Sequence, residues 1–600
     1  MGHYLSNLRD LEFNLFEVFQ VQEYLGTGPF EQIDVETAVG VLNEVERLAS
    51  TTFAESFVEG DRTPLRLEDG EVRIPDGIKR SLDAFFDGEW HRMNLPERLG
   101  GYGAPPSLRW ATTELLLGAN PTALMYCAGP TFAAILDGLA TDEQRERWVV
   151  PMVERRWGAT MALTEPDAGS DVGASRTKAV RADDGTWRLT GVKRFISNGD
   201  FDWPENIVHL VLARPEGAGP GTKGLSLFLV PKYWVNADGS LGERNGVVVT
   251  KVEDKMGLKA SATCELTFGE RTPARAVLVG EVHDGIRQMF TAIEDARMLV
   301  GTKAIATLST GYLNALAYAK ERVQGPDLAQ TADKTAPRVA IIRHPDVRRS
   351  LMTQKAHVEG MRALVMFAAS IQDRIRLDQG EDLAYLERLN DLLLPMVKGY
   401  GSEKSYELLA SSLQVLGGSG YCRDYPIEQY LRDAKIDTLY EGTTGIQGMD
   451  LFFRKIGKDR GATLARLLGE IRDLTKADAG NGALSVERER LAAALGDIQG
   501  MLEAMVRFVG RSVYLVGLNT TPLLFALSEL MVGWLLLRQA EVALEALKSG
   551  QCSDRDRAFY EGKIAAARWF ARQVLPLLSA RRTMTAQTDL DIMELADPAF

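Results

Sequence analysis

The order of the local patterns along the chain constrains the fold more than any other feature of the sequence. Apolar side chains recur at helical spacing over residues 34–157, strand-like runs fill 158–282, and helical patterns return after 283. The long helical patterns in the last part are joined by short loops, which is typical of a helix bundle. A bundle interrupted by a β insertion leaves a cleft where its layers meet, and clefts of this kind bind cofactors.

This order predicts an α+β chain built of successive domains, and 600 residues are enough for several of them. The predicted parts are an N-terminal extension (1–33), an N-terminal α-helical domain (34–157), a middle β-barrel-like domain (158–282), a C-terminal four-helix-type α domain (283–455) and an extra C-terminal helical bundle (456–600).

Shorter patterns predict individual elements in the second half of the chain. Long helices are expected at 285–322, 343–378 and 382–416, and a loop is expected at 477–486. The apolar run 522–537 is too short to span a bilayer, so it predicts a buried helix and no stable membrane insertion.

Composition and charge exclude several classes of function. The net charge of −13 argues against a nucleic-acid partner, which would require a basic face. The four cysteines lie far apart and form no C-x-x-C pair, which favours a reducing, cytoplasmic location without a disulfide framework. Six histidines without a ligand-like cluster predict that no metal is bound.

Two segments of the β region are suited to a flat polar ligand. Residues 161–173 carry the Thr164 and Ser170 hydroxyls beside small residues, so hydroxyls and backbone amides can reach a ring edge or a phosphate. Residues 191–199 combine an aromatic, an aliphatic and a hydroxyl side chain, so a ring can lie on their face while Ser197 bonds its edge. Taken singly, each segment also fits an ordinary turn or strand.

A third segment, 413–421, is a glycine-rich turn after a helical pattern. It does not follow a strand, so it is not the dinucleotide fingerprint of a Rossmann fold. Gly417 and Gly418 could still lie against a pyrophosphate because they have no side chain to block it.

The run Leu-Tyr-Glu-Gly-Thr-Thr-Gly-Ile-Gln at 439–447 contains the candidate catalytic residue, Glu441. A carboxylate between an aromatic residue and a Gly-Thr turn can take a proton from carbon where a dry pocket raises its pKa. A glutamate before glycine is also typical of a solvated turn. Whether Glu441 is a catalytic base or a turn residue therefore depends on the evidence from the other segments.

These segments, in this order, resemble the acyl-CoA dehydrogenase family over residues 90–455. The resemblance is carried by T-E-P-x-A-G-S-D, G-x-K-x-F-I-S-N-G, Lys255-Met-Gly-Leu-Lys-Ala-Ser-Ala-Thr, Ala296-Arg297, Glu321-Arg322-Val-Gln-Gly, Q-x-x-G-G-x-G-Y and L-Y-E-G-T. Family members have an α domain, a β domain and a second α domain, with FAD in the cleft. The two terminal extensions resemble the branch of roughly 600 residues, which includes broad-specificity bacterial acyl-CoA dehydrogenases and 3-methylmercaptopropionyl-CoA dehydrogenases.

The resemblance implies FAD-dependent α,β-dehydrogenation of an acyl-CoA thioester to trans-2-enoyl-CoA. Glu441 matches the base that removes the pro-R α-proton, while the β-hydride passes to flavin N5. The enolate-like charge on the thioester oxygen has to be stabilised, which in this family falls to the backbone N–H of the base and the ribityl 2′-OH. Some members carry the base before the arginine that matches Arg297; Ala296 stands there, so that alternative is absent.

The resemblance also assigns the remaining site residues. Positions that match flavin contacts are Leu163, Thr164, Gly169, Ser170, Phe195, Ile196, Ser197 and Thr443. Positions that match contacts to the FAD of the neighbouring subunit are Arg322, Gln324, Gln414, Gly417 and Gly418. Positions that match substrate contacts are Glu294, Arg297, Tyr440 and Gly442. A homodimer and electron transfer flavoprotein as acceptor are implied as well.

Three departures from the family pattern bear on the adenine end of FAD. Gly445 replaces a common Gln, the loop at Arg322 lacks the usual Phe and is one residue shorter, and 323–343 is an insertion. Two alternatives stay open at this stage. The chain could be an acyl-CoA oxidase that passes electrons to O₂, or a non-catalytic CoA-binding assembly subunit that keeps the fold.

Overall fold

A computed structural model describes residues 2–377, 380, 382–476, 482–550 and 552–600. The described chain forms two compact units. The first comprises Met1–Tyr4, Phe30–Pro105 and Leu115–Ala296, and the second comprises Leu5–Pro29, Pro106–Glu114 and Arg297–Phe600. The five predicted domains stay a prediction, and most of the loop predicted at 477–486 lies outside the described residues.

Helices form the first part of the first unit and strands its second part. The helices up to residue 154 are α1 (Leu8–Glu12), α2 (Val35–Leu48), α3 (Ala54–Arg62), α4 (Asp76–Asp87), α5 (Pro106–Ala119), α6 (Pro121–Tyr126), α7 (Gly129–Asp137), α8 (Asp142–Gln144) and α9 (Val150–Glu154), of which α1 and the start of α5 belong to the second unit. α2 begins after Asp34, whose side chain accepts a hydrogen bond from the Thr37 N–H and caps the helix.

The strands are short and are separated by turns, as the sequence predicts. They are β1 (Arg66–Glu68), β2 (Glu71–Arg73), β3 (Gly158–Ala162), β4 (Lys178–Arg181), β5 (Trp187–Ile196), β6 (Ile207–Pro215), β7 (Ser226–Pro231), β8 (Tyr233–Val235), β9 (Leu241–Arg244), β10 (Val247–Val252), β11 (Cys264–Phe268), β12 (Ala274–Val279), β13 (Val323–Pro326) and β14 (Arg338–Ala340).

The main sheet has eight strands, seven of them in the order β10-β11-β5-β12-β7-β6-β3, and β4 pairs with both β5 and β6. The strands β5, β12, β7, β6 and β4 therefore form a closed ring, which confirms the barrel-like prediction. β6 pairs with β7 in antiparallel register, with Leu210 opposite Leu229. These residues belong to a buried apolar cluster that also contains Trp148, Trp157 and Trp234.

Helices make up almost all of the second unit, where two small strands form a hairpin. From residue 285 onward the helices are α10 (Gly285–Glu321, which starts in the first unit), α11 (Pro345–Leu377), α12 (Leu383–Pro395), α13 (Gly401–Leu416), α14 (Gly418–Tyr421), α15 (Ile427–Ala434), α16 (Thr444–Met449), α17 (Ala462–Lys476), α18 (Ser485–Val509), α19 (Val513–Lys548), α20 (Asp554–Gln573), α21 (Leu577–Ala586) and α22 (Asp591–Glu594). The insertion after Arg322 forms the β13–β14 hairpin.

The helix predicted at 382–416 is more complex than expected. α12 runs into a π-helical segment, Met396–Tyr400, which continues directly into α13. Pro395 precedes this segment and lacks an N–H, which disturbs the regular hydrogen-bond ladder. π-helical turns are frequent at functional sites, and this one carries Lys398.

The apolar run at 522–537 lies inside α19, which has 36 residues. The helix continues beyond this run at both ends, from Val513 to Lys548, so it is longer than the run alone indicated. In the described part of the chain, α19 is the one helix long and apolar enough to cross a membrane, and 83% of its most apolar window is buried in the protein. The prediction of a buried helix is therefore confirmed.

The segment Leu5–Pro29 of the N-terminal extension belongs to the second unit and is held there by buried charges. Asp10 accepts hydrogen bonds from Arg362 on α11, at 2.5 Å, and from Lys563 on α20. Arg362 also donates to Glu114, at the end of the short stretch of α5 that belongs to this unit. Because a buried charge is costly without partners, this network ties distant parts of the sequence together.

Candidate active site

Glu441 lies on a strained turn of the second unit. Its φ angle is 55°, in the left-handed region that side chains other than glycine rarely adopt, and Gly442 follows with φ 88°. Gln447 donates hydrogen bonds from Nε2 to the carbonyl oxygens of Glu441 (3.0 Å) and Gly442 (3.2 Å). Lys398 donates from Nζ to the Gly442 oxygen at 2.5 Å. Such strain costs on the order of 1–3 kcal/mol and clusters at functional sites.

The surroundings of the Glu441 carboxyl act on its pKa in opposite directions. Burial raises this pKa above its usual value, while the charges of Lys398 and Arg297 lower it. The Lys398 ammonium is itself fully buried, and burial lowers its pKa to about 8. A carboxyl on which burial and two cations act in opposite directions is typical of groups that exchange a proton in catalysis.

Arg297 lies close enough to this turn for its charge to act on Glu441. Only 5% of its surface is exposed, and its Nη1 donates to the Asp450 carboxylate at 2.6 Å. The structure therefore shows a buried arginine in an ion pair near Glu441, and a contact to CoA stays a prediction for this residue. Glu294, one turn earlier on α10, is half-buried.

Tyr440 precedes the candidate base and is tied to a second buried ion pair. Its hydroxyl donates to Asp437 at 2.9 Å, and Asp437 accepts two hydrogen bonds from Lys303 on α10, each 2.8 Å long. Burial raises the pKa of the Tyr440 phenol well above its usual range, so the hydroxyl keeps its proton. The network fixes the chain immediately before Glu441.

In the first unit, the two segments singled out for a flat ligand are joined to each other. Lys193 on β5 is fully buried and donates from Nζ to the Leu163 carbonyl (2.9 Å) and to Glu165 (2.8 Å). The Arg194 N–H donates to the Thr164 carbonyl at 2.8 Å. The sequence places these segments about thirty residues apart, and the buried ion pair brings them together.

Phe195 is turned outward by a β-bulge. The pairing of β5 with β11 shifts register between Lys193 and Ile196, and Phe195 lies in that shift with φ 61°. Its ring is 56% exposed, while Ile196 is buried and Ser197 is half-buried. An exposed aromatic ring held on an unfavourable backbone is ready to stack on a ligand ring.

The other predicted ligand contacts lie at accessible positions. Thr164 and Leu163 are half-buried; Gly169, Ser170 and Thr443 are exposed. In the second unit, Arg322, Gln324, Gln414, Gly417 and Gly418 are all exposed. A methyl group added to Gly417 or Gly418 would meet no atom within 4 Å, so a ligand could approach either backbone closely.

These residues fit FAD, the cofactor that the resemblance implies. The first unit supplies an exposed ring and the Ser170 hydroxyl, which suit the face and the polar edge of a flavin. The second unit supplies an exposed arginine, Arg322, and open glycine backbone, which suit a pyrophosphate.

Reasoning from the sequence missed the residues that hold the site together. Lys193 and Glu165 stand inside the quoted motifs, but no pattern showed that they pair. Gln447 ends the quoted run 439–447, but nothing in that run showed that its side chain bonds the turn; Lys398 lies outside the quoted motifs, and a lysine amid apolar neighbours at 396–400 was the only available signal for it.

Comparisons with known proteins agree with this geometry. Residues 160–270 match the family model "Acyl-CoA dehydrogenase, middle domain", and 283–454 match "Acyl-CoA dehydrogenase, C-terminal domain". Residues 467–596 match "Acetyl-CoA dehydrogenase C-terminal like", so the helices after α16 are also represented in a known family model.

Two curated relatives extend over nearly the whole chain. The broad-specificity linear acyl-CoA dehydrogenase FadE5 of Mycobacterium tuberculosis is 56% identical, covering 100% of both chains. The 3-methylmercaptopropionyl-CoA dehydrogenase of Ruegeria pomeroyi is 34% identical, covering 98% of both chains.

A solved structure supports the fold. Caenorhabditis elegans ACDH-11 in complex with C11-CoA has a TM-score of 0.74 at 19% identity, covering 96% of this chain and 92% of that chain. The fold, the family models and the full-length relatives agree. The chain thus belongs to the acyl-CoA dehydrogenase family, and it is an FAD-dependent acyl-CoA dehydrogenase.

Proposed function

We propose that Glu441 is the base that removes the α-proton of the acyl thioester. The observation that carries this proposal is the turn itself: a half-buried carboxylate on left-handed backbone, with a raised pKa and two cations nearby. The backbone N–H of Glu441 has no backbone acceptor in the described part of the chain. It is therefore available to donate to the thioester oxygen, where negative charge develops as the proton leaves.

The residues of the first unit bind the cofactor in this proposal. FAD supplies the acceptor for the β-hydride when it is bound. The residues that would hold the flavin are Phe195 through its ring, Thr164 and Ser170 through their hydroxyls, and Leu163, Gly169, Ile196 and Ser197. Thr443 is a further residue that would hold it. The exposure of Phe195 on a strained bulge supports this assignment.

The second unit binds a neighbour's cofactor in a homodimer, which we propose as the working assembly. Arg322 pairs with the pyrophosphate of that FAD, and Gln324, Gln414, Gly417 and Gly418 line its path. Their shared exposure and the open space at the two glycines support this proposal. Electron transfer flavoprotein then reoxidises the enzyme, and a cytoplasmic role in fatty-acid β-oxidation follows.

The proposed substrates are linear acyl-CoA thioesters, with Tyr440 and Gly442 beside the reacting carbons and Glu294 toward the CoA part. The full-length relative described as a broad-specificity linear acyl-CoA dehydrogenase supports this class. The relative that acts on 3-methylmercaptopropionyl-CoA makes that thioester the principal competitor.

The experiment that tests this function measures flavin reduction under anaerobic conditions across a series of acyl-CoA chain lengths, with 3-methylmercaptopropionyl-CoA included. We expect bleaching by several linear chains and formation of 2-enoyl-CoA. Stoichiometric H₂O₂ release during turnover in air would instead identify an oxidase, and no bleaching by any acyl-CoA would identify a non-catalytic subunit.

Removing the ammonium beside the base should shift the pH dependence of the reaction. The charge of Lys398 stabilises the Glu441 carboxylate, so Lys398→Met is expected to raise the pKa of Glu441 further. Because the base acts as the carboxylate, the acidic limb of the kcat/KM profile should move to higher pH. Lys404→Met, which removes a lysine paired with Glu407 on α13, is the control and should leave the limb in place.

Removing the exposed arginine at the end of α10 should weaken cofactor retention. Arg322→Ala is expected to lose flavin during dialysis, because a charge-assisted contact to a pyrophosphate is lost. Arg338→Ala, on the paired strand of the same hairpin, serves as the control. Equal flavin content in both variants after dialysis would remove the proposed role of Arg322.

A further inference from the structure

The turn that carries Glu441 is supported from behind by two short segments. One is α16, whose Gln447 bonds the carbonyls of Glu441 and Gly442. The other is the π-helical segment Met396–Tyr400, whose Lys398 bonds the Gly442 carbonyl. The two supports also touch each other, because a methyl group at Gly399 would lie 3.1 Å from Cβ of Gln447.

Both supports pack directly on α19, deep in the C-terminal helical region. A methyl group at Gly448, next to Gln447, would lie 2.9 Å from the Thr520 carbonyl carbon and from the Thr521 nitrogen. A methyl group at Gly399 would lie 2.8 Å from a terminal carbon of Leu524. At Gly448 the contact is with the backbone of α19, which leaves no room for a side chain there, and at Gly399 the contact is with a closely packed leucine side chain.

An aromatic contact strengthens the same junction. The rings of Tyr400 and Phe525 meet edge to face with centroids 5.9 Å apart, an arrangement that aromatic pairs favour beyond simple burial. Leu524 and Tyr400 are both fully buried. Pro522 lies within this stretch of α19, where it removes a backbone donor from the helix ladder.

We propose that residues 520–525 of α19 position the base: they hold Gly399 and Gly448, and through Lys398 and Gln447 they fix the strained Glu441 turn. These residues act on the turn only through Lys398 and Gln447, so they are positioning residues. The inference gives the helical region after 455 a part in the reaction, and it rests on the proposed role of Glu441. Strained backbone persists only where the surrounding structure holds it in place, and here the packing of α19 on the two supporting segments does so.

A pair of leucines on the same helix provides the test. Leu524→Ala removes packing behind the π-helical segment, whereas Leu536→Ala removes an equally buried side chain that packs against Gly360 of α11. Leu536 lies about 18 Å further along the helix axis, at 1.5 Å per residue. Both variants create a cavity of the same type, so both should lower the melting temperature to a similar extent.

Only Leu524→Ala should affect the proton-transfer step. We expect kcat to fall by about tenfold or more with KM for acyl-CoA unchanged, because small misplacements of a reacting group are costly. The kinetic isotope effect for substrate deuterated at Cα should rise, since α-proton abstraction becomes more rate-limiting. Leu524→Met should restore most of kcat. If either alanine variant does not accumulate, Leu524→Val and Leu536→Val replace the pair.

Equal loss of kcat in the two alanine variants, or an isotope effect unchanged from wild type in Leu524→Ala, would overturn the positioning role. Failure of the underlying assignment has a different signature, because Glu441→Gln would then retain flavin reduction. The two outcomes are therefore distinguishable in the same set of proteins.

Discussion

Glu441→Gln is expected to lower turnover by about 10²–10⁴-fold while FAD stays bound, the range that positioned general bases contribute. Glutamine keeps the shape of the side chain and the two hydrogen bonds from Gln447, which go to the backbone carbonyls of residues 441 and 442 and not to the carboxyl. It removes the basic oxygen that would accept the proton. Reductive bleaching by acyl-CoA should be lost to the same extent.

The matched control is an exposed glutamate of the same unit, Glu503 on α18, changed to glutamine. It loses the same charge and should retain wild-type bleaching. Flavin absorbance before mixing shows whether the active-site variant holds its cofactor. A Glu441→Gln protein that bleaches at the wild-type rate would mean that another group takes the proton.

The second large effect is expected at the buried ion pair Lys193–Glu165, which joins the segments 161–173 and 191–199. Lys193→Met leaves the Glu165 carboxylate buried without its cation, although the N–H groups of Arg176 and Thr177 still donate to it. Breaking a buried pair from one side costs about 3–5 kcal/mol in the free energy of unfolding. The Leu163 carbonyl also loses its donor, so the first flavin-facing segment should loosen and release FAD.

A double variant separates charge from packing. Lys193→Met together with Glu165→Leu removes both buried charges and should recover part of the lost stability, because an apolar replacement of a buried pair is often neutral. Breaking the partly exposed pair between Arg188, on the same strand, and Asp184, in the turn before that strand, should cost far less, because solvent screens such a pair. A loss in Lys193→Met no greater than that of the surface pair would contradict the account of the cofactor segments.

Much of the fold was predictable because it depends on local periodicity. The helices α10 and α11 and the strands β5 to β7 lie where the spacing of apolar residues predicts them. The π-helical segment was not predictable from a period of 3.6, since Pro395 and tertiary packing produce it. The full length of α19 was not predictable from the apolar run alone, because the helix continues beyond that run at both ends.

In the candidate site, too, the residues in local motifs were predictable from the sequence and those that depend on tertiary contacts were not. Glu441 and the residues proposed to contact the flavin could be named because they stand in short linear motifs. Lys398 and the Lys193–Glu165 pair depend on contacts between segments that are far apart in sequence, and the role of Gln447 depends on a local turn that the sequence pattern did not show. The left-handed backbone at Phe195 and Glu441 is likewise set by surrounding packing and not by their own preference.

The central claim, that Glu441 takes the α-proton, is tested most directly by following that proton. Acyl-CoA deuterated at Cα is incubated anaerobically with the FAD-loaded enzyme and without an electron acceptor, and release of the label into water is measured. The wild-type enzyme is expected to exchange the label, and FAD-loaded Glu441→Gln is expected to retain it. Release of the label by Glu441→Gln at the wild-type rate would contradict the assignment of the base.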